Sequence, residues 1–138
     1  MPKGEPAPVR FMKLFVPVTE SGCWLWTSGV TRGGYSRFVL FNRRQVYGHR
    51  YSYELFKGPI PNGLEIDHLC RVRCCVNPDH LEAVTQRENG RREAAAQTHC
   101  KRGHQLSGVN LRIDSNRARQ CKACDKIRRR RYCRTKTI

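Results

Sequence analysis

Cys100-x3-His104 and Cys121-x2-Cys124 set four metal-binding side chains in two short pairs. Between them lies a segment that reads as a hairpin, Leu111 to Gln120, turning at Asp114-Ser115-Asn116. No other feature narrows the fold as much, because a tetrahedral Cys3His zinc site of ribbon or knuckle type ties two turns together with little hydrophobic core. The chain needs such a staple. Of its 138 residues 38% are hydrophobic, 9% aromatic and 28% charged, which leaves too little apolar material for a large core. Met1 to Val9 holds three prolines and no apolar run of signal-peptide length, and no later segment approaches a membrane span. An intracellular protein is expected, and in a reducing compartment thiols paired beside histidines read as zinc ligands rather than disulfides. The same observation disfavours a secreted, disulfide-stapled toxin, which zinc content would separate. A redox role for the Cys-x2-Cys pair is disfavoured by its partnership with Cys100 and His104.

A second constellation gathers Cys70, Cys74, Cys75 and His80 within eleven residues, with Cys23 far upstream. Cys74 and Cys75 are adjacent, and both are not expected to ligate. Cys23 either completes a zinc shell from the N-terminal strands or is a buried reduced thiol in the core. For Cys133 the buried thiol is the stronger reading.

Charge is unevenly placed. The net charge is +16, and residues 97–138 carry 13 Lys+Arg against 2 Asp+Glu. With a pI near 10.2, a polyanionic partner is expected, most economically nucleic acid. The charge step places a boundary near Gln97, giving a core of residues 21–97 and an appendage of residues 98–138. Residues 1–20 read as a flexible arm. Lys126 to Lys136, containing Arg128-Arg129-Arg130-Arg131, reads as a basic tail or a helix extending one. Neither end is expected to contribute to a core.

Cys23 to Thr27, Tyr35 to Phe41 and Val46-Tyr47 are aromatic and β-branched enough for strands. Gly48 to Lys57 reads as a short helix with Tyr51, Leu55 and Phe56 on one face, stopped by Gly58-Pro59. Leu64 to Leu69 alternates as a half-buried strand does, and Leu81 to Val84 pairs with it across a loop rich in Cys and Arg. Thr85 to Glu88 has capping-box spacing and Ala94 to Ala96 favours helix, so a helix from about Gln86 to Gln97 follows. The Asn89-Gly90 turn dipeptide works against that helix.

Asp67-His68-Leu69-Cys70, then Cys75-Val76-Asn77-Pro78-x-His80-Leu81, then Arg87-Glu88-Asn89 resemble HNH and His-Cys box endonucleases, the ββα-metal or His-Me finger superfamily. Small phage-encoded HNH proteins are the nearest likeness. The resemblance runs from about Cys23, through Gly33-Gly34-Tyr35 and His49-Arg50, to Asn89, and includes the 21 positions from His68 to Asn89. It implies an α+β fold: a small zinc-stapled ββα-metal domain, with antiparallel strands before it and a zinc knuckle with a basic tail after it. It implies a metal-dependent DNA endonuclease leaving 5′-phosphate and 3′-hydroxyl ends, in the cytoplasm or nucleoid of a bacterial host if the chain is phage-encoded.

The residue types suit that reaction. A neutral imidazole is a competent base near pH 7, and a hard cation such as Mg2+ or Mn2+ prefers oxygen ligands. His68 takes the first role; Asn89 and Asp67 hold the cation. Adjacent strand residues point to opposite faces, so Asp67 and His68 share a site only if the strand ends or twists there. Two structural zincs are assigned to Cys23, Cys70, Cys75, His80 and to Cys100, His104, Cys121, Cys124, with Asn77 left a structural part. His49 is expected to pack or hydrogen-bond, and His99 to be a bystander.

Arg71, Arg73, Arg87, Arg91 and Arg92 lie where phosphate contacts would be useful. The block Arg128 to Arg131 would bind any duplex with strong salt dependence. Tyr35 to Phe41 with Arg43-Arg44 could read bases as a β-ribbon. One chain supplies one His68 constellation, so it nicks double-stranded DNA or cuts both strands as a homodimer. The competing reading is a non-catalytic zinc protein that binds nucleic acid, which needs the basic tail and both knuckles but neither His68 nor Asn89.

Overall fold

The computed structural model describes residues 4–135, with side chains through Arg131. Lys136, at the end of the expected basic tail, and the Cys133 side chain lie outside the described residues. The chain divides after Gln86 into two compact units.

The first unit opens with helix α1, Ala7–Met12, and strand β1, Phe15–Pro17. β1 pairs antiparallel with β2, Trp24–Trp26, in the register Val16 opposite Leu25. β3, Arg37–Val39, and β4, Gln45–Tyr47, form a second antiparallel ribbon that runs directly into α2, Gly48–Lys57. β5, Leu64–His68, and β6, Leu81–Thr85, form a third, with His68 opposite Leu81. A 3-10 turn at Pro78–His80 leads into β6.

The core is small and aromatic: Phe11, Trp26, Phe38 and Val76, with Tyr51 and Phe15 packed on it. Phe11 is its hub, with ring centroids 5.3 Å from Trp26, 5.5 Å from Phe38 and 5.1 Å from Tyr51. The N-terminal segment is therefore part of the core, contrary to the expectation of a flexible arm over residues 1–20. Its four prolines and five charged residues mask this, and Phe11, with Phe15 beside it, outweighs them because a core this small has few other rings to fill it.

The buried face of α2 also differs from expectation. Gly48, His49 and Ser52 are buried, while Leu55 and Phe56 remain substantially exposed. Small residues face inward because the helix packs closely: Ser52 Oγ donates to the Val76 carbonyl at 2.5 Å.

The second unit begins within α3, Gln86–Ala96, which follows β6 with no intervening residue. The division falls ahead of the charge step near Gln97. Arg119 explains part of this, since its guanidinium donates to the carbonyls of Ala94, Ala95 and Gln97 at 2.8–3.1 Å and closes the C-terminal end of α3. Asn89-Gly90 does not break α3. β7, Leu111–Ile113, and β8, Arg119–Cys121, form the expected hairpin, closed by Asp114 Oδ1 accepting from the Asn116 and Ala118 amides. α4, Lys122–Thr135, carries the arginine block as a helix.

Phe11→Ala should cost about 3–5 kcal/mol of first-unit stability. Urea unfolding followed by tryptophan fluorescence measures this, and an unchanged midpoint would show that the N-terminal segment is dispensable.

Candidate functional site

The loop between β5 and β6 is held to β2 through its backbone. Trp26 N donates to Cys74 O at 3.1 Å and Val76 N to Trp24 O at 2.9 Å, an antiparallel bridge pairing Leu25 with Cys75. This bridge carries Cys23, at the entrance of β2, to Cys75. Gly22, in the left-handed region at φ +68°, lets the chain pass beneath the His80 ring, whose Nε2 lies 3.4 Å from where a Cβ would sit. Asn77 accepts from Asp79 N and donates to Gly22 O, joining the two loops and filling the structural part expected of it.

The result is a cluster of Cys23, Cys70, Cys75 and His80, whose ligand atoms all lie within 4.8 Å of one another. Cys23 and Cys75 Sγ each stand 3.6 Å from His80 Nδ1. A zinc tetrahedron with ordinary bond lengths has S···S edges of about 3.8 Å and S···N edges of about 3.6 Å, so these side chains fit a tetrahedral soft cation. Burial pushes the Cys75 thiol up to about 12, an energetic obstacle to ionisation that a coordinated cation removes. Cys74 stays outside the cluster and packs against the core instead.

Cys100, His104, Cys121 and Cys124 form a second cluster, in the second unit. His104 Nδ1 lies 3.4, 3.6 and 3.3 Å from the sulfurs of Cys100, Cys121 and Cys124, and Cys100 Sγ is 3.7 Å from Cys124 Sγ, again tetrahedral edges. Asn110 supports it, donating to Cys121 Sγ at 3.4 Å and accepting from Ala123 N at 2.9 Å. A lone Asn at the end of a 3-10 turn carries no signal in the sequence that would mark this part.

His68 is buried at the end of β5. Its Nε2 lies 3.1 Å from the Cys75 carbonyl. A carbonyl only accepts, so Nε2 carries the proton and Nδ1 of the neutral ring holds the lone pair. Burial, the largest influence, holds the imidazole below its ordinary value, which keeps it neutral near pH 7. One residue, Cys75, thus presents its sulfur to the Cys/His cluster and its carbonyl to His68.

Asp67 is buried beside His68, and β5 ends between the pair and the loop. Its Oδ1 receives Arg71 at 3.2 Å, and Arg71 itself adopts a left-handed backbone at φ 60°. Arg73 donates to Gly33 O at 3.0 Å and lies over the Tyr35 ring. Asn89 is in α3, with Arg87, Arg91 and Arg92; the last two pair with Glu88 at 3.1 and 3.2 Å. In α4, Arg128 pairs with Asp125, while Arg129, Arg130 and Arg131 line an open groove with Arg112, Lys122 and Lys126. His99 stands outside both clusters, its Nδ1 2.9 Å from Thr98 Oγ1.

Residues 46–91 match the model of the HNH endonuclease family, a span that contains α2, β5, the loop and β6. The chain is similar to the uncharacterized gene 5.3 protein of Enterobacteria phage T3, 36% identical over 51% of this chain and 62% of that one. It is similar also to protein 7.7 of Escherichia phage T7, 34% identical over 64% of this chain and 63% of that one. Protein 2.8 of the same phage is 35% identical over 54% of this chain and 50% of that one. The chain thus spans between half and about three fifths of the length of these relatives. No solved structure matches. Among the described residues no helix is long and apolar enough to cross a membrane.

Nitrogen-15 NMR of the imidazole rings should find His68 neutral at pH 7 with its proton on Nε2. A ring protonated on Nδ1 alone would contradict the Cys75 anchor.

Proposed function

We propose that this chain, a member of the phage-type HNH endonucleases through residues 46–91, is a metal-dependent DNA endonuclease with a ββα-metal active site. The observation that carries the reading is the His68–Cys75 hydrogen bond within the matched span: a buried neutral imidazole is fixed by one nitrogen, leaving the other as a base.

Nδ1 of His68 takes the proton of the attacking water. The new bond forms from that water oxygen to phosphorus, and the bond from phosphorus to the 3′ oxygen breaks. The products are 5′-phosphate and 3′-hydroxyl ends. A hard divalent cation, Mg2+ or Mn2+, supplies charge stabilisation on the phosphorane and the leaving oxygen. Asn89, through its amide oxygen, and Asp67, through its carboxylate, are the residues that would hold it. Both are oxygen donors, as such a cation requires.

The two Cys/His clusters are structural zinc sites in this reading. Each offers four protein ligands, which completes a tetrahedron and leaves no open position for catalysis. Arg71, Arg73, Arg87, Arg91 and Arg92, with Arg128 to Arg131 on α4, supply phosphate contacts to double-stranded DNA. Each phosphate neutralised contributes about −0.9 to the slope of log affinity against log salt, so the arginine block is an affinity device rather than a sequence reader. One active site per chain makes a nick, and a paired cut takes a homodimer.

Supercoiled plasmid incubated with zinc-loaded protein and Mg2+ or Mn2+ tests this. Wild type should give relaxed or linear DNA, EDTA should stop it, and His68→Ala should lower the rate by at least about 100-fold while still shifting the plasmid's mobility. Equal cutting by His68→Ala removes His68 as the base. Mobility shifts without cutting by any form, on DNA carrying the native target as well, would leave a zinc-containing nucleic-acid-binding protein.

A further inference from the structure

The backbone at the start of α2 is clamped against Ser36, the residue that precedes β3. Gly48 N donates to the Ser36 carbonyl at 2.9 Å and His49 N to Ser36 Oγ at 3.1 Å, and Ser36 is wholly buried. A Cβ on Gly48 would fall 2.6 Å from Ser36 Oγ and 2.9 Å from Ser36 Cβ, so only glycine permits this approach. His49 therefore projects from a point of the chain with little freedom to move.

Its ring is 6% exposed and stands among three others. The centroids lie 5.5 Å from Tyr35, 5.4 Å from Tyr47 and 4.8 Å from His68, the last at an interplanar angle of 57°. Tyr35 in turn lies 6.1 Å from His68, so His49 and Tyr35 together wall the His68 ring. His49 Nδ1 is buried without a hydrogen-bond partner. Its ring is thus placed by packing and by the clamped backbone, not by a hydrogen bond sought by that nitrogen. Burial, then His68 and Arg50, push His49 down to about 3, so it meets His68 as an uncharged surface.

A single hydrogen bond from Nε2 to Cys75 O fixes one atom of the His68 ring and leaves rotation about that contact open. A rigid wall removes that freedom. We propose that His49 is a positioning residue for His68: its ring holds the His68 imidazole in the orientation that keeps Nε2 on the Cys75 carbonyl and leaves Nδ1 for the substrate water. The consequence for rate rests on the nuclease reading; the consequence for ring orientation does not.

His49→Ala and His49→Phe, made in the full zinc-loaded chain, separate this from a merely structural role. Three quantities are read: the single-turnover cleavage rate, the affinity for duplex DNA, and the nitrogen-15 tautomer of His68. His49→Ala should cut roughly 10–100-fold more slowly with unchanged duplex affinity, and should show His68 in mixed tautomers. His49→Phe, which restores a flat ring at the same place, should recover both rate and the single Nε2–H tautomer. Wild-type rate and a single tautomer in His49→Ala would overturn the proposal, as would a folded His49→Phe as impaired as His49→Ala. If His49→Ala fails to fold, His49→Phe decides alone: recovery supports the wall, and slow cutting with mixed tautomers refutes it. If wild type itself cuts no DNA, the nuclease reading fails, while the tautomers of the two variants still test the wall.

Discussion

Cys75 is the residue on which the first unit turns. Its backbone bridges to Leu25 and locks the β5–β6 loop onto β2. Its sulfur joins Cys23, Cys70 and His80, and its carbonyl receives His68. Ladder hydrogen bonding, the Cys/His cluster and the placement of the His68 ring are therefore mechanically one feature. A shift of the loop would be felt at all three, because each contact is made directly by Cys75 or by the peptide groups that flank it. Local changes in a site of this kind are coupled, and single substitutions in it will not behave additively.

The same economy explains how so charged a chain folds. Its apolar core amounts to a few rings around Phe11 with Val76, and Ile66, Leu81 and Val84 buried on the β5–β6 ribbon, too small to hold three two-stranded ribbons by burial alone. Backbone pairing and the Cys/His cluster carry the remainder in the first unit. In the second, a four-ligand cluster, the Asp114 turn and the Arg119 closure of α3 do the corresponding work around a scant apolar interior. Ligand binding to such clusters is in effect folding energy, since an unfolded chain holds no preformed site.

Much of this was legible in the sequence where spacing carries geometry. The grouping of Cys100, His104, Cys121 and Cys124, the α2 span and the order β5, loop, β6, α3 follow from Cys/His separations, alternation and capping signals, whereas the place of Cys23 beside Cys70, Cys75 and His80 is one of two readings the spacing leaves open. Adjacency excludes one of Cys74 and Cys75, and the structure shows that it is Cys74 that lies outside the cluster. What spacing does not encode was missed. Phe11 looks like any apolar residue in a proline-rich, charged segment, and only tertiary packing makes it a hub. The inward face of α2 is built on Gly48 and Ser52, because close approach to Ser36 and Val76 favours small residues over the bulkier Leu55 and Phe56. Hydrophobic periodicity cannot anticipate that. His49 likewise reads as ordinary packing until its neighbours are known.

The central claim is that the cation cluster organises the base, so the decisive measurement is made on a ligand remote from the chemistry. Cys23 lies 45 positions before His68 and is brought to the cluster by the β2 bridge and the Asn77–Gly22 hydrogen bond. Elemental analysis and plasmid cleavage should be compared for wild type and Cys23→Ser. The account predicts two zincs per wild-type chain, about one in Cys23→Ser, and loss of cleavage in that variant although His68, Asp67 and Asn89 are all retained. A Cys23→Ser chain that has lost one zinc and still cuts at the wild-type rate would contradict it.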